Sequence, residues 1–194
     1  MWGIGIIGAG SYGAQHAQAL ADLDTVHLVA ASRTNETALR EFTKSYGGRA
    51  YTDYGDLLQD NDVDVVVIAT PHHLHTDIAI AAAQAGKHIL LEKAMATNVE
   101  DARAIRDAVE EAGVKSAVSF VLRWNPLFDI IRQQLADDAI GRVFMGEVDY
   151  FHGIGPWYGQ FGWNIKKEVG GSSLLSAGCH ALDAPRYFMG GNIS

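Results

Sequence analysis

A short β-branched run, Trp2–Ile7, ends in Gly8-Ala9-Gly10-Ser11-Tyr12-Gly13, and a helix-forming stretch, Tyr12–Ala21, follows at once. This G-x-G-x-x-G constrains the chain more than any other feature, because each glycine answers a different steric demand. Gly8 permits a tight turn, Gly10 lets the backbone approach a diphosphate, and Gly13 lets helix and strand pack closely. The first amides of the helix and its positive dipole end then face the phosphates. The spacing predicts a dinucleotide held by Gly8, Gly10, Ser11, Tyr12 and Gly13. A glycine-rich turn with no ligand is the plainer alternative; the strand–turn–helix–strand context favours the ligand.

The next apolar run, His27–Ser32 with Val26 leading in, ends Ala30-Ala31-Ser32-Arg33-Thr34. An NAD site usually carries an acid there, bonded to the ribose 2′-OH. No carboxylate is present, whereas a serine hydroxyl and an arginine suit a 2′-phosphate. The expectation is NADP(H) in preference to NAD(H), with Ser32 and Arg33 as contacts and an ordinary surface arginine as the alternative.

The alternation continues. Thr34 is expected to cap a helix over Asn35–Tyr46, and Ala50–Thr52 a short strand. Val63–Ala69 has the Val/Ile composition of a strand buried on both faces. Leu74–Ala85 reads as a helix and His88–Leu91 as a strand. Thr97 and Glu100 have capping-box spacing before a helix that runs to Ala112, and Ser116–Val121 reads as a sixth strand. Strands alternating with helices imply an α/β fold, a doubly wound parallel sheet of Rossmann type. The pattern then changes. Pro126–Leu135 reads as a helix, and Arg142–Phe151 alternates like an antiparallel strand exposed on one face. Residues 154–171 read as a long irregular loop, and Ser173–Phe188 as a helix. The organisation expected is a nucleotide-binding domain over residues 1–121 and an α+β domain over 122–194.

Composition narrows the function. A formal net charge of −8 gives no electrostatic support for nucleic-acid binding. The apolar runs Val65–Ala69 and Ile78–Ala83 are too short to span a bilayer. No basic stretch precedes an apolar core at the start, so no secretory signal is expected. The single cysteine, Cys179, fits a reducing cytoplasm and reads as a buried structural thiol.

Two further clusters fall at strand ends, where ligands bind in open parallel sheets. Glu92-Lys93 follows the fifth strand; Lys93 could stabilise an alkoxide or move a proton, or simply form a surface ion pair. Ala69-Thr70-Pro71-His72-His73-Leu74-His75 follows the fourth. A metal site is not expected from these histidines, which crowd one turn; cofactor contact by Ala69, Thr70, Pro71, His72 and His75, or packing at the helix start, is. Arg123, past the sixth strand, could touch substrate or anchor the domain junction.

These segments, together with Ala85-Gly86-Lys87-His88-Ile89-Leu90-Leu91-Glu92-Lys93 and Gly170-Gly171-Ser172-Ser173-Leu174-Leu175-Ser176-Ala177-Gly178-Cys179-His180-Ala181-Leu182-Asp183, resemble the glucose–fructose oxidoreductase/inositol dehydrogenase (Gfo/Idh/MocA) family. The resemblance spans essentially the whole chain. It implies a Rossmann domain followed by a domain with a mostly antiparallel sheet. It also implies NAD(P)-dependent hydride transfer at a hydroxyl or carbonyl carbon of a sugar, polyol or related compound. By the same resemblance Lys93 and His180 are catalytic, and Thr70, His75 and Glu92 line the nicotinamide side; Arg123, by its place at the same rim, and with it Trp163 and Asp183, are substrate-side candidates. The complete protein would form a homo-oligomer. Family members continue well beyond this length, so the chain reads as a fragment. Ala94 stands where the family has proline, Ser176 where many dehydrogenases have aspartate, and Asn164 where many have arginine. Asp183 is the candidate to replace the missing carboxylate. Ala94 and Ser176 keep one alternative open, a non-catalytic NADP-binding regulator; the other alternative is a lyase or transferase that oxidises its substrate transiently on tightly held cofactor.

Overall fold

A computed structural model describes residues 1–153 and 155–190. The chain divides into two units, Met1–Val118 and the residues from Ser119 onward.

The first unit is built on six strands: β1 (Trp2–Ile7), β2 (Val26–Ser32), β3 (Arg49–Tyr51), β4 (Val65–Ile68), β5 (His88–Glu92) and β6 (Ser116–Ser119). Their order across the sheet is β3-β2-β1-β4-β5-β6. The pairs β1–β2, β1–β4, β2–β3 and β4–β5 are parallel, with Ile6 opposite both Ala31 and Val67. This is the doubly wound order, in which the strand sequence reverses beside β1. Neighbouring strand residues point to opposite faces, so the continuous apolar strands serve two cores. Ile7, Val66 and Ile68 pack with Ile78, Ala82, Leu91 and Ile105. Ile4, Ile6 and Val67 pack with Ala17, Leu39 and Phe42.

The covering helices are α1 (Ser11–Leu20), α2 (Glu36–Tyr46), α3 (Tyr54–Leu58), α4 (His75–Gln84) and α5 (Val99–Ala112). A 3₁₀ turn, His72–Leu74, leads into α4. Two expected caps shift by one residue. Asn35, not Thr34, caps α2 by accepting from the Ala38 amide, and Asn98, not Thr97, caps α5 by accepting from the Asp101 amide at 2.8 Å. In both cases an asparagine sits three residues before a free amide, and asparagine is at least as good a cap as threonine. The short helix α3 had no periodic signal; Asp53 caps it.

The second unit holds α6 (Pro126–Ala136), α7 (Phe161–Asn164), α8 (Lys167–Gly170) and α9 (Cys179–Met189). The expected strand over 142–151 is not formed. A strand requires a partner to complete its ladder, and none is present among the described residues. Phe144, Met145 and Phe151 are consequently exposed. The expected loop over 154–171 contains α7 and α8; Ile154 lies outside the described residues. The expected helix from Ser173 begins as a π-helical turn, Leu174–Gly178, before α9. Cys179 is half-buried. No described helix is long and apolar enough to cross a membrane.

Candidate functional site

The turn between β1 and α1 is clamped to the end of β2, the Gly8 and Ala9 amides both donating to the Ser32 carbonyl at 3.0 and 3.1 Å. Its three glycines separate by cause. Gly8 has φ +99°, and a Cβ there would fall 2.6 Å from the Ala69 backbone. At Gly13 a Cβ would fall 2.5 Å from the Gly8 carbonyl oxygen. At Gly10 a Cβ would meet nothing within 4 Å. The fold therefore demands glycine at 8 and 13, and leaves position 10 open toward whatever lies above the turn. Side chains cap α2, α3 and α5, whereas α1, whose N-cap is Gly10, and α4, which continues a 3₁₀ turn, have no side-chain cap. Open space beside uncapped amides is what a diphosphate needs.

Around this turn the first unit collects the expected cofactor residues. Arg33 Nη1 donates to the Ala9 carbonyl at 2.9 Å, which lays the guanidinium beside the glycine turn. The adjacent Ser32 is buried. At the end of β4, Ala69 abuts Gly8, and the buried Thr70 Oγ1 has no hydrogen-bond partner among the described residues. A bound group with polar edges would satisfy it.

His75 is placed differently. It is fully buried, with Nδ1 2.7 Å from the Ala94 carbonyl and Nε2 2.9 Å from the Thr70 carbonyl. The ring thus links the end of β4 to the residue after Lys93. Burial pushes its pKa below the usual histidine value, outweighing the two carbonyls and Glu92, which pull it upward. His72 is also buried, edge-on to His75 at 5.7 Å between ring centroids. Among the described residues no three His, Cys, Asp or Glu side chains gather into a metal site.

At the end of β5, Glu92 and Lys93 are both buried. Glu92 Oε1 lies 2.8 Å from His16 Nε2, and Lys93 Nζ sits 5.9 Å from the centre of the Tyr12 ring. His16 was not among the residues singled out from sequence. Its signal was available: it falls one helical turn after Tyr12, on the same face of α1.

In the second unit, His180 is buried on α9, with Phe120 edge-on at 6.0 Å and Tyr150 at 5.2 Å between ring centroids. Asp183 binds Arg123 in a two-pronged fork, Nε to Oδ2 at 2.7 Å and Nη2 to Oδ1 at 2.5 Å. Arg123 also lies over the rings of Phe120 and Tyr187. The Asp183 carboxylate thus has both oxygens on Arg123. Ser176 Oγ hydrogen-bonds Asn164 and donates to the Gly170 carbonyl at 3.3 Å, so the two uncharged departures from the family pattern meet each other. Trp163 is half-buried on α7.

The family model described as oxidoreductase family, NAD-binding Rossmann fold, matches residues 2–120, and the model for the GFO/IDH/MocA C-terminal domain matches 128–194. Levoglucosan dehydrogenase of Pseudarthrobacter phenanthrenivorans is 32% identical over 96% of this chain and 51% of its own. The WlbA dehydrogenase of Bordetella pertussis, solved with NADH and UDP-GlcNAcA, superposes with TM-score 0.90 at 31% identity over 96% of this chain and 55% of its own. KijD10, a 3-ketoreductase of Actinomadura kijaniata solved in a mutant form with TDP-benzene and NADP, gives TM-score 0.88 at 25% identity over 97% and 57%. The chain spans about half the length of the curated relatives it matches.

Proposed function

Since the chain belongs to the Gfo/Idh/MocA oxidoreductase family, we propose that its protein moves a hydride between a nicotinamide cofactor and a hydroxyl or carbonyl carbon of a sugar, polyol or related small molecule. The observation that carries this reading is the open Gly10 beside the uncapped start of α1. Gly8, Gly10, Ser11, Tyr12 and Gly13 would hold the diphosphate, and Ala69, Thr70, Pro71 and His72 would lie along the cofactor. Bound there, the nicotinamide supplies the hydride acceptor or donor. His180 takes the hydroxyl proton during oxidation and returns it during reduction, as an imidazole can near neutral pH. Lys93 holds the substrate oxygen and offsets the negative charge that builds on it. His75, packed between the Thr70 carbonyl at the end of β4 and the Ala94 carbonyl just after that lysine, holds these two chain segments together. Turnover of a sugar, polyol and inositol panel by the full chain, followed at the reduced-nicotinamide band, tests this. Cofactor release with no substrate of either redox state consumed would refute it.

NADP(H) is the proposed preferred cofactor. The carboxylate-free end of β2 and the Arg33 guanidinium folded over the phosphate turn support it. Relatives carry both kinds, NADH in the WlbA dehydrogenase and NADP in KijD10. Parallel titrations with NADPH and NADH decide the point, tighter NADH binding being the contrary result. A reducing, cytoplasmic setting and a homo-oligomeric complete protein are part of the same proposal; light scattering on the complete protein tests the second.

One observation favours a second reading, cofactor binding without turnover: Asp183 is committed to Arg123 and Ser176 to Asn164. In that case cofactor binds and nothing in the panel changes the absorbance. The transient-oxidation alternative would instead show product formed with no net change in cofactor.

A further inference from the structure

We propose that His16 and Tyr12, one turn apart on α1, are positioning residues for Glu92 and Lys93, so that the helix presenting amides to the phosphates also sets the side chains at the end of β5. The contacts are direct. His16 Nε2 lies 2.8 Å from Glu92 Oε1, with the two side chains 20% and 8% exposed. The Lys93 ammonium lies over the Tyr12 ring at 5.9 Å. Residues four apart share a helix face, so one face of α1 reaches both members of the pair. Successive residues of a strand point to opposite sides, but Glu92 is the last residue of β5. Beyond it the chain leaves the ladder, and both side chains turn to the same helix.

A carboxylate this well buried is costly unless a donor meets it. The His16 Nε2–H is such a donor, and a charge-assisted one at its acceptor end. His16 lies outside the G-x-G-x-x-G, and phosphate binding asks for no histidine there. A half-buried position on α1 could be filled by an apolar residue if packing alone mattered. The histidine is accounted for by Glu92. The kinetic part of this proposal rests on the dehydrogenase reading above; the contact itself does not.

His16→Leu removes the donor, and His16→Gln returns an amide N–H to nearly the same place. In the full chain, His16→Leu lowers kcat about tenfold or more while cofactor Kd stays within about twofold, and His16→Gln recovers most of the loss, the size expected for one hydrogen bond to a charged group. If His16→Leu keeps its turnover and only the melting temperature moves, histidine serves packing and the proposal is overturned. A second readout needs no turnover. In the full chain labelled with ¹⁵N-histidine, the His16 Nε2–H exchanges slowly with solvent, and Glu92→Ala releases it. Fast exchange in the wild type overturns the proposal even if every His16 variant misfolds. Should the wild type turn over nothing in the panel, the dehydrogenase reading falls, and proton exchange still decides for or against the His16 contact.

Discussion

Gly10→Ala separates a ligand-binding turn from a merely structural one. Gly10 has φ −108° and ψ −154°, extended backbone open to any residue, and a Cβ there meets nothing within 4 Å. Two small stability terms oppose each other. Restricting the unfolded chain gains about 0.4–1 kcal/mol, and alanine is a poorer N-cap than glycine by about 0.5–1 kcal/mol. The net is within about 0.5 kcal/mol, a melting shift of about 1–4 °C. Binding behaves differently if the proposed site is right, because the added methyl would stand where a diphosphate approaches the α1 amides. Losing one hydrogen bond to a charged oxygen costs about 1.5–3 kcal/mol, or about 10- to 150-fold in Kd. Fluorescence titration with NADPH and NADH, beside thermal melts, reads both quantities. Gly13→Ala is the control, because its Cβ would fall 2.5 Å from the Gly8 carbonyl oxygen. There α1 must move by several tenths of an ångström, an overpacking cost of about 1–3 kcal/mol partly offset by about 1 kcal/mol of helix propensity. That variant loses melting temperature as well as affinity. If Gly10→Ala binds both cofactors within twofold of wild type, the open position has no bearing on phosphates and the cofactor site lies elsewhere.

Lys93→Ala and His180→Ala should each lower kcat by about 10²–10⁴-fold with cofactor affinity nearly intact; unchanged turnover in steady-state assays removes that residue from the mechanism. Asp183→Ala should destabilise the second unit by about 1.5–3 kcal/mol, less than a fully buried ion pair because the Arg123 side chain is 39% exposed. An unchanged denaturation midpoint would show that the fork contributes nothing. For His75, burial lowers the pKa in the folded protein, so the unfolded chain takes up the proton first as pH falls. The stability contribution is complete above the unfolded value of about 6.5 and is lost as pH falls from there toward the folded value. Melting temperatures between pH 7 and pH 5 should fall more steeply for wild type than for His75→Gln, and parallel curves would contradict the assignment.

Much of the first unit was legible because its signals are local. The Val/Ile run at β4 needs two buried faces, and Gly8 and Gly13 mark the tight turn and close packing found in the fold. The caps were missed by one residue, since Thr34-Asn35 and Thr97-Asn98 each offer two cap-competent side chains and only the backbone path chooses between them. The strand over 142–151 failed for the opposite reason: alternation describes the faces a segment could present, and pairing depends on a neighbour that no local pattern supplies.

Residue order alone carried the α/β class, the first strand–turn–helix unit, the glycine turn after β1 and the rim bearing Glu92 and Lys93. These follow from side-chain size, β-branching and glycine placement within a few residues of one another. Packing of distant elements brings His16 to Glu92 across 76 positions, pairs Asp183 with Arg123, and wedges His75 between two carbonyls. Such partnerships arise when desolvated polar groups are brought together by the packing of distant elements, and spacing along the chain carries no record of which acceptor a buried donor will find.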